Sequence, residues 1–344
     1  MRSVNLNLTS WGVTNACNLS CIYCYRDAGG KALRELTTEE GKALLKDIKL
    51  SGAKMVVLTG GEPLLREDIF ELAEYGSSLG LVMLLATNGT LISRDIALRI
   101  KESGIKIVSV NLNGSKPEIH DRITKVKGSF KRTLNGIRYC IEEGVGVQAN
   151  ITVTKLNYHD VLDLIKFVES LGVKFVHVFS LIPVGRGSDD VSIPPSSFAE
   201  LLKKIYEYQN ESDLLIKPTC SPYYWVYIVE RKPRFLETFL RRYPTGCTAG
   251  VSYIYISPIG DVYPCPYLPV KVGNVREKPL TEIWKGSDVL MKLRSRDELK
   301  GKCGSCTYRD VCGGCRAKAY VYYKDIMAED PSCILEEFEF GKNY

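Results

Sequence analysis

The sequence predicts an α/β fold, a parallel sheet with helices outside, followed by a small cysteine-rich domain. Three observations carry this. Between residues 5 and 181, short apolar strand segments alternate with amphipathic helical segments six times over. The connections between them are short, as in βα units that lay strands side by side in one direction. From residue 220 onward the pattern gives way to turn-rich sequence that holds eight of the twelve cysteines.

Each element has a local signature. Residues 4–14 alternate polar and apolar, as a strand does, and lead into a loop rich in cysteine and asparagine. Thr37-Thr38-Glu39-Glu40 offers a cap and first-turn acids, so a helix is expected to start there and run to about residue 51. Met55-Val56-Val57-Leu58 is a short buried strand that ends at Gly60-Gly61. The alternation continues with helix 66–79, strand 81–86, helix 93–103, strand 105–112, helix 129–143, strand 145–153, helix 160–171 and strand 173–181. Residues 188–197 are polar and proline-rich and read as a linker before a helix at 198–210. The expected organisation is a barrel-like domain over 1–190, a linker and helix over 191–219, and a metal-stapled domain over 220–344.

Composition bounds the function. The chain has 344 residues, 45% hydrophobic and 25% charged, ordinary for a globular protein. No apolar run approaches the roughly 18 residues of a membrane helix, and the N-terminus has no apolar signal core. These features suggest a cytoplasmic protein without a membrane partner. The net charge of +6 is spread along the chain, and no nucleic-acid motif accompanies it. Clustered cysteines in a reducing compartment point to metal rather than to disulfides.

Cys17, Cys21 and Cys24 form a C-x3-C-x2-C cluster in the loop after the first strand. Three thiolates are one short of the four that normally hold a 4Fe–4S cluster, which leaves one iron for a ligand that is not protein. Tyr23 precedes the third cysteine, and Gly60-Gly61-Glu62-Pro63 closes the second strand. A zinc site is the alternative for the three cysteines alone. With these motifs together, the chain resembles the radical S-adenosylmethionine (SAM) superfamily. The resemblance implies a partial (β/α)6 barrel with ligands at the C-terminal ends of the strands. It implies a 4Fe–4S cluster on Cys17, Cys21 and Cys24 whose free iron takes the amino and carboxylate groups of SAM. Cleavage of SAM to methionine and a 5′-deoxyadenosyl radical would be the cofactors' chemistry, with the protein supplying binding and orientation.

The same resemblance implies site residues. Gly60 and Gly61 would bring backbone to the SAM amino group, with Glu62 as the partner of that cation. Asn88 and Asn113, at the ends of the third and fourth strands, would line the SAM and substrate cavity. Relatives carry serine and aspartate where this chain has Asn111 and Asn113. Arg122 would lie near the SAM carboxylate, with a surface arginine as the plain alternative. Arg186, between Gly185 and Gly187, would meet a carboxylate bidentately. The three histidines, His120, His159 and His177, read as structural, with a cavity-facing His177 on the sixth strand as the alternative, and Cys140 reads as a buried core residue. The stretch Tyr223-Tyr224-Trp225-Val226-Tyr227 reads as core packing, with an aromatic substrate wall as the alternative.

The C-terminal cysteines run Cys247, Cys265, then Cys303-x2-Cys306-x5-Cys312-x2-Cys315, then Cys333. This resembles the SPASM extension of radical SAM enzymes, although that pattern ends its tight motif with x3 where this chain has x2. The resemblance implies one auxiliary 4Fe–4S cluster on Cys303, Cys306, Cys312 and Cys333. Cys247, Cys265 and Cys315 would serve another, its fourth position open or filled by Cys220. A pair of zinc knuckles is the alternative. Over nearly the whole chain, including Pro269 to Arg276 and Cys312 to Ala317, the sequence is similar to the heme-biosynthesis group of these enzymes (NirJ, AhbC and AhbD). That similarity implies an anionic iron tetrapyrrole as substrate, loss or decarboxylation of its side chains, and a low-potential electron donor such as ferredoxin or flavodoxin. The rivals are a peptide-modifying maturase, disfavoured because the first cluster cysteine is already residue 17, maturation of a tungsten or molybdenum cofactor, and a non-enzymatic electron carrier.

Overall fold

The computed structural model describes residues 5–338, so the predicted strand residue Val4 lies outside the described part. Seven strands run parallel in chain order: β1 Leu8–Thr14, β2 Met55–Gly60, β3 Val82–Thr87, β4 Ile107–Asn111, β5 Gly146–Val153, β6 Phe175–Ser180 and β7 Leu215–Thr219. Three more extend the sheet beyond β1. β8 Tyr253–Ile256 pairs with β1 in parallel, and β9 Asp261–Tyr263 and β10 Gly273–Asn274 continue antiparallel.

Helices fill the crossovers, and their caps follow the sequence. Thr37 accepts from the Glu40 backbone N–H while the Glu40 side chain accepts from the Thr37 N–H, a reciprocal box that starts helix Thr38–Leu50. Ser93 caps helix Arg94–Glu102 in the same sense. Helix Pro117–Thr124, with proline in its first turn, was not foreseen in the sequence.

The two faces of the sheet differ. On β5, Val147, Ala149, Ile151 and Val153 are buried against the helices, while Gln148, Asn150 and Thr152 line an interior cavity. Thr59 on β2, Thr87 on β3, His177 on β6 and Lys217 on β7 line the same cavity, so the sheet curves around it. Side chains alternate along a strand, and here the inward set is largely polar. An ordinary parallel sheet buries both faces in apolar packing; this one reserves its inner face for ligands.

The segment 191–219 holds more than a linker and a helix, because β7 is the seventh parallel strand. The cysteine-rich part keeps only a small cluster of its own, Leu299, Cys303 and Met327. Ile254, Ile256, Val262, Leu280 and Trp284 join the same continuous apolar cluster as the barrel strands. Tyr223, Tyr224 and Tyr227 of helix Tyr223–Arg231 are buried in that cluster, which settles that stretch as core, although Trp225 also reaches the cavity wall.

Candidate iron–sulfur and SAM site

The loop after β1 is tied down on every side. Its backbone closes on itself through Cys17 N–H to the Gly29 carbonyl at 2.8 Å and Gly29 N–H to the Asn15 carbonyl at 3.0 Å. The end of β2 locks it from beneath, with Gly61 N–H donating to the Thr14 carbonyl at 2.8 Å and Glu62 N–H to the Ala16 carbonyl at 2.7 Å. A Cβ on Gly60 would stand 2.3 Å from the Thr14 carbonyl oxygen, and one on Gly61 2.2 Å from that of Ala16. Gly60 also has φ +136°, outside the range of ordinary side chains. Both glycines line the cavity, but their closest neighbour is the cysteine loop itself, not only a ligand.

Glu62 and Arg186 take roles that differ from those the sequence implied. Glu62 is fully buried and absent from the cavity wall. Its carboxylate accepts from Thr87 Oγ1 at 2.7 Å, Asn88 N–H at 2.8 Å and Leu64 N–H at 3.0 Å. Burial pushes its pKa up, and those donors offset part of the rise. Glu62 thus clamps the end of β3 to the end of β2. Arg186 does reach the cavity wall, yet its guanidinium is spent on the loop. Nε donates to the Cys21 carbonyl at 3.0 Å, and Nη1 to the Ala28 carbonyl at 2.8 Å and Asp27 at 2.7 Å. Gly185, at φ +62°, packs against the Cys24 carbonyl, where a Cβ would stand at 2.4 Å.

The remaining predicted contacts divide. Asn88 lines the cavity and donates from Nδ2 to Asn18 of the cysteine loop at 2.8 Å. Asn113 is fully buried behind the wall, where its Nδ2 donates to Tyr23 Oη at 2.8 Å and its Oδ1 accepts from Thr152 N–H at 2.8 Å. It orients Tyr23, which does line the cavity, while Asn111 occupies the wall position. Arg122 is exposed on helix Pro117–Thr124 and is not in the wall, the outcome of the surface alternative. His120 is buried, its Nδ1 accepting from Asn113 N–H at 3.1 Å, and burial pushes its pKa down to about 4. Cys140 is buried in the core, as expected.

The cysteines fall into sets. None of the twelve is in a disulfide. Cys17, Cys21 and Cys24 line the main cavity, of about 360 Å³, and so do Cys220, Cys247, Cys265 and Cys315. Cys303, Cys306, Cys312 and Cys333 surround a separate small cavity of about 20 Å³. Within the first set, burial and then the charges of Cys24 and Cys17 push the Cys21 thiol up to about 12, so three bare thiolates at this spot disfavour one another. Backbone N–H groups point at several sulfurs: Leu19 at Cys17 (3.4 Å), Gly314 at Cys312 (3.4 Å) and Asp330 at Cys303 (3.3 Å). Converging cysteines with N–H donors on sulfur fit iron–sulfur ligation. Cys220, at φ +62°, lies beside Cys315 in the cavity wall.

In one row of the wall, sequence reasoning singled out His177 but missed Asn150 and Lys217. Asn111, Asn150, His177 and Lys217 are successive cross-strand partners on β4, β5, β6 and β7. All four line the cavity. Strand β7 had no recognised signal, so Lys217 went unread. Tyr25 and Tyr267 also meet in the wall, ring centroids 4.9 Å apart, each just after a cluster cysteine, Cys24 and Cys265.

A curved parallel sheet with three cysteines at a strand's C-terminal end, and further cysteines gathered in fours, defines an iron–sulfur enzyme built around SAM. The chain belongs to the radical SAM superfamily, whose family model matches residues 11–168, and an iron–sulfur cluster-binding domain model, SPASM, matches residues 247–307. It is 39% identical over 335 residues to the AdoMet-dependent heme synthase of Methanosarcina barkeri, covering 95% of this chain and 96% of that protein. It is 34% identical to the Fe-coproporphyrin III synthase of the same organism, covering 96% and 88%. The fold is that of Streptococcus suis SuiB in its SAM-bound crystal structure, with a TM-score of 0.77 at 21% identity over 96% of this chain and 77% of that one. The enzyme thus uses SAM with a 4Fe–4S cluster and carries auxiliary iron–sulfur binding in its C-terminal part. No helix among the described residues is long and apolar enough to cross a membrane.

Proposed function

We propose that this enzyme acts on an iron tetrapyrrole and oxidatively decarboxylates propionate side chains, as in the conversion of an iron-coproporphyrin to heme. The observation that carries the reading is the 39% identity to a heme synthase along almost the entire chain. Two features of the cavity support it: its size of about 360 Å³ and a wall that contains no Asp or Glu among the described residues, suited to a polycarboxylate. When bound, cluster and SAM supply a radical that takes one hydrogen atom from a propionate carbon next to the ring. Loss of carbon dioxide would then leave a vinyl group and one electron, for which an auxiliary iron–sulfur cluster held by the C-terminal cysteines would be the acceptor.

The chain's residues take these parts. Cys17, Cys21 and Cys24 hold the first cluster, in a loop that Gly60, Gly61, Glu62 and Arg186 keep in shape. Asn88 and Tyr23 line the SAM end of the cavity, and Asn113 fixes Tyr23. Cys303, Cys306, Cys312 and Cys333 hold one auxiliary cluster, and Cys247, Cys265 and Cys315, with Cys220, hold the other. Residues 1–190 serve SAM, and 220–344 serve the auxiliary clusters. A low-potential donor such as ferredoxin or flavodoxin supplies the electron for SAM cleavage. The cytoplasm suits these cysteines, because it keeps them from pairing as disulfides and so available to iron.

The test is anaerobic incubation with SAM, reductant and iron-coproporphyrin III. Formation of 5′-deoxyadenosine with loss of carbon dioxide from the porphyrin is the expected result. If deoxyadenosine accumulates only with a peptide, the tetrapyrrole reading is wrong. Joint replacement of Cys17, Cys21 and Cys24 by alanine is expected to abolish SAM cleavage while auxiliary iron stays, measured by iron analysis and by product formation.

A further inference from the structure

The polar row on β4 to β7 has no assigned task. Asn111 pairs with Asn150, Asn150 with His177 and His177 with Lys217 across neighbouring parallel strands. Residues in register on adjacent parallel strands share a face and lie roughly 4.8 Å apart. All four face the main cavity.

Lys217 is the exceptional member. The cavity wall holds two basic side chains among the described residues, Arg186 and Lys217, and burial pulls the Lys217 pKa down to about 8. Arg186 is committed to the cysteine loop and to Asp27. Among the described residues no carboxylate pairs with Lys217; its Nζ sits over the Tyr243 ring, 4.5 Å from the centroid, and Cys220 is its charged neighbour. A half-buried ammonium held over an aromatic face, in a wall without acids, is a binding point for an anion.

His177 adds a second donor. Gln148 Nε2 donates to His177 Nδ1 at 3.3 Å, which leaves the ring proton on Nε2. Nε2 is buried and has no partner. Burial and the adjacent Lys217 charge both hold this ring neutral. The pair thus offers an ammonium and an uncommitted N–H from neighbouring strands, the donor set that a carboxylate accepts.

We propose that Lys217, with His177 beside it, forms the carboxylate subsite of the cavity and anchors an acidic side chain of the second substrate, separate from SAM. The identity of that substrate as a tetrapyrrole propionate rests on the function proposed above. The location favours the second substrate over SAM. The SAM-side loop hangs from β1 and is clamped by the ends of β2 and β3, whereas Lys217 lies on β7, at the far end of the parallel run and three residues before Cys220. Lys217 is a specificity residue: it places the side chain, and the chemistry is done elsewhere.

The experiment uses the anaerobically reconstituted holoenzyme. Lys217→Met keeps the length and removes the charge; Lys217→Arg keeps the charge. In Lys217→Met the KM for iron-coproporphyrin III is expected to rise about 10- to 100-fold, as for loss of one charge-assisted hydrogen bond. The change in kcat should be smaller, the affinity for SAM should match wild type, and Lys217→Arg should recover most of the loss. A wild-type KM in Lys217→Met overturns the proposal. So does a weakened SAM affinity with unchanged porphyrin KM, which would assign the cation to the SAM carboxylate. Reductive methylation of wild-type Lys217, followed by peptide mass spectrometry, separates this idea from the tetrapyrrole reading. If the porphyrin is not a substrate, protection of Lys217 by tricarballylate still supports a carboxylate subsite, and absence of protection by either compound rejects it.

Discussion

At the scale of single residues, the site depends on buried polar groups that never touch a ligand. His120 holds the Asn113 backbone through an unprotonated Nδ1, and Asn113 in turn holds Tyr23. Burial lowers the His120 pKa from 6.5 to about 4. Above pH 6.5 the ring is neutral in both folded and unfolded chains. As pH falls below 6.5 the unfolded chain takes up a proton that the folded protein refuses, so stability is lost between pH 6.5 and 4. The shift corresponds to about 3 kcal/mol at the low end of that window. His120→Asn, which retains an acceptor near Nδ1, should therefore flatten the pH dependence of denaturant unfolding between pH 6.5 and 4; an unchanged profile would place the titration elsewhere. Glu62→Ala should be the most damaging single change nearby. It strips the acceptor from Thr87 Oγ1 and from the Asn88 and Leu64 amides, each such buried loss costing about 1–3 kcal/mol. Weaker SAM binding, measured by isothermal titration, should accompany it, because Asn88 loses its support. None of this was legible in sequence. The motif marks Glu62 as important, but only folding decides whether a carboxylate faces ligand or neighbouring backbone.

At the scale of elements, the six βα units were legible because each strand carries a run of apolar residues, and Thr37 and Ser93 mark the starts of two of the helices. The seventh strand was not. Leu215–Thr219 is five residues long, contains Pro218 and puts Lys217 and Thr219 on the cavity side. Proline is tolerated there because β7 closes one edge of the sheet, where one side of the strand has no ladder to complete. The polar residues that disguise the strand are the ones that give it a function. The turns after β2 and β6 were read as ligand contacts, yet they serve first as braces for the cysteine loop. Gly61→Ala forces a Cβ against the Ala16 carbonyl. The expected outcome is loss of iron from the first cluster and of SAM cleavage, with the C-terminal clusters kept. Full first-cluster iron by Mössbauer spectroscopy in that variant would show that the loop tolerates the intrusion.

At the scale of the whole molecule, the C-terminal part is built onto the barrel rather than tethered to it. Strand β8 extends the barrel sheet beyond β1, and the second cysteine set opens into the same cavity as the first. Arg276 locks the junction. It grips Glu40 with two nitrogens, at 2.6 and 2.8 Å, and donates to the Arg34, Glu35 and Ile259 carbonyls. Arg276→Ala should lower stability by about 1–2 kcal/mol, the discounted value of a partly exposed pair with its added hydrogen bonds. A melting temperature lower by a few degrees would show it, and no change would mean the sheet contact suffices. The cysteine spacing made the existence of this second part plain. Its continuity with the barrel core was hidden, because no local pattern reveals which distant strand an edge will meet. The polar inner face of the barrel carries a further consequence. A barrel packed with Val, Ile and Leu draws cohesion from its own centre, whereas this one keeps about 360 Å³ there for its guests. Ligands that enter only the folded protein raise its stability by mass action, by about 2.7 kcal/mol at a hundred times Kd. Heat resistance then doubles as a gauge of loading, and a melting curve recorded with and without SAM reads how much of the cohesion is borrowed.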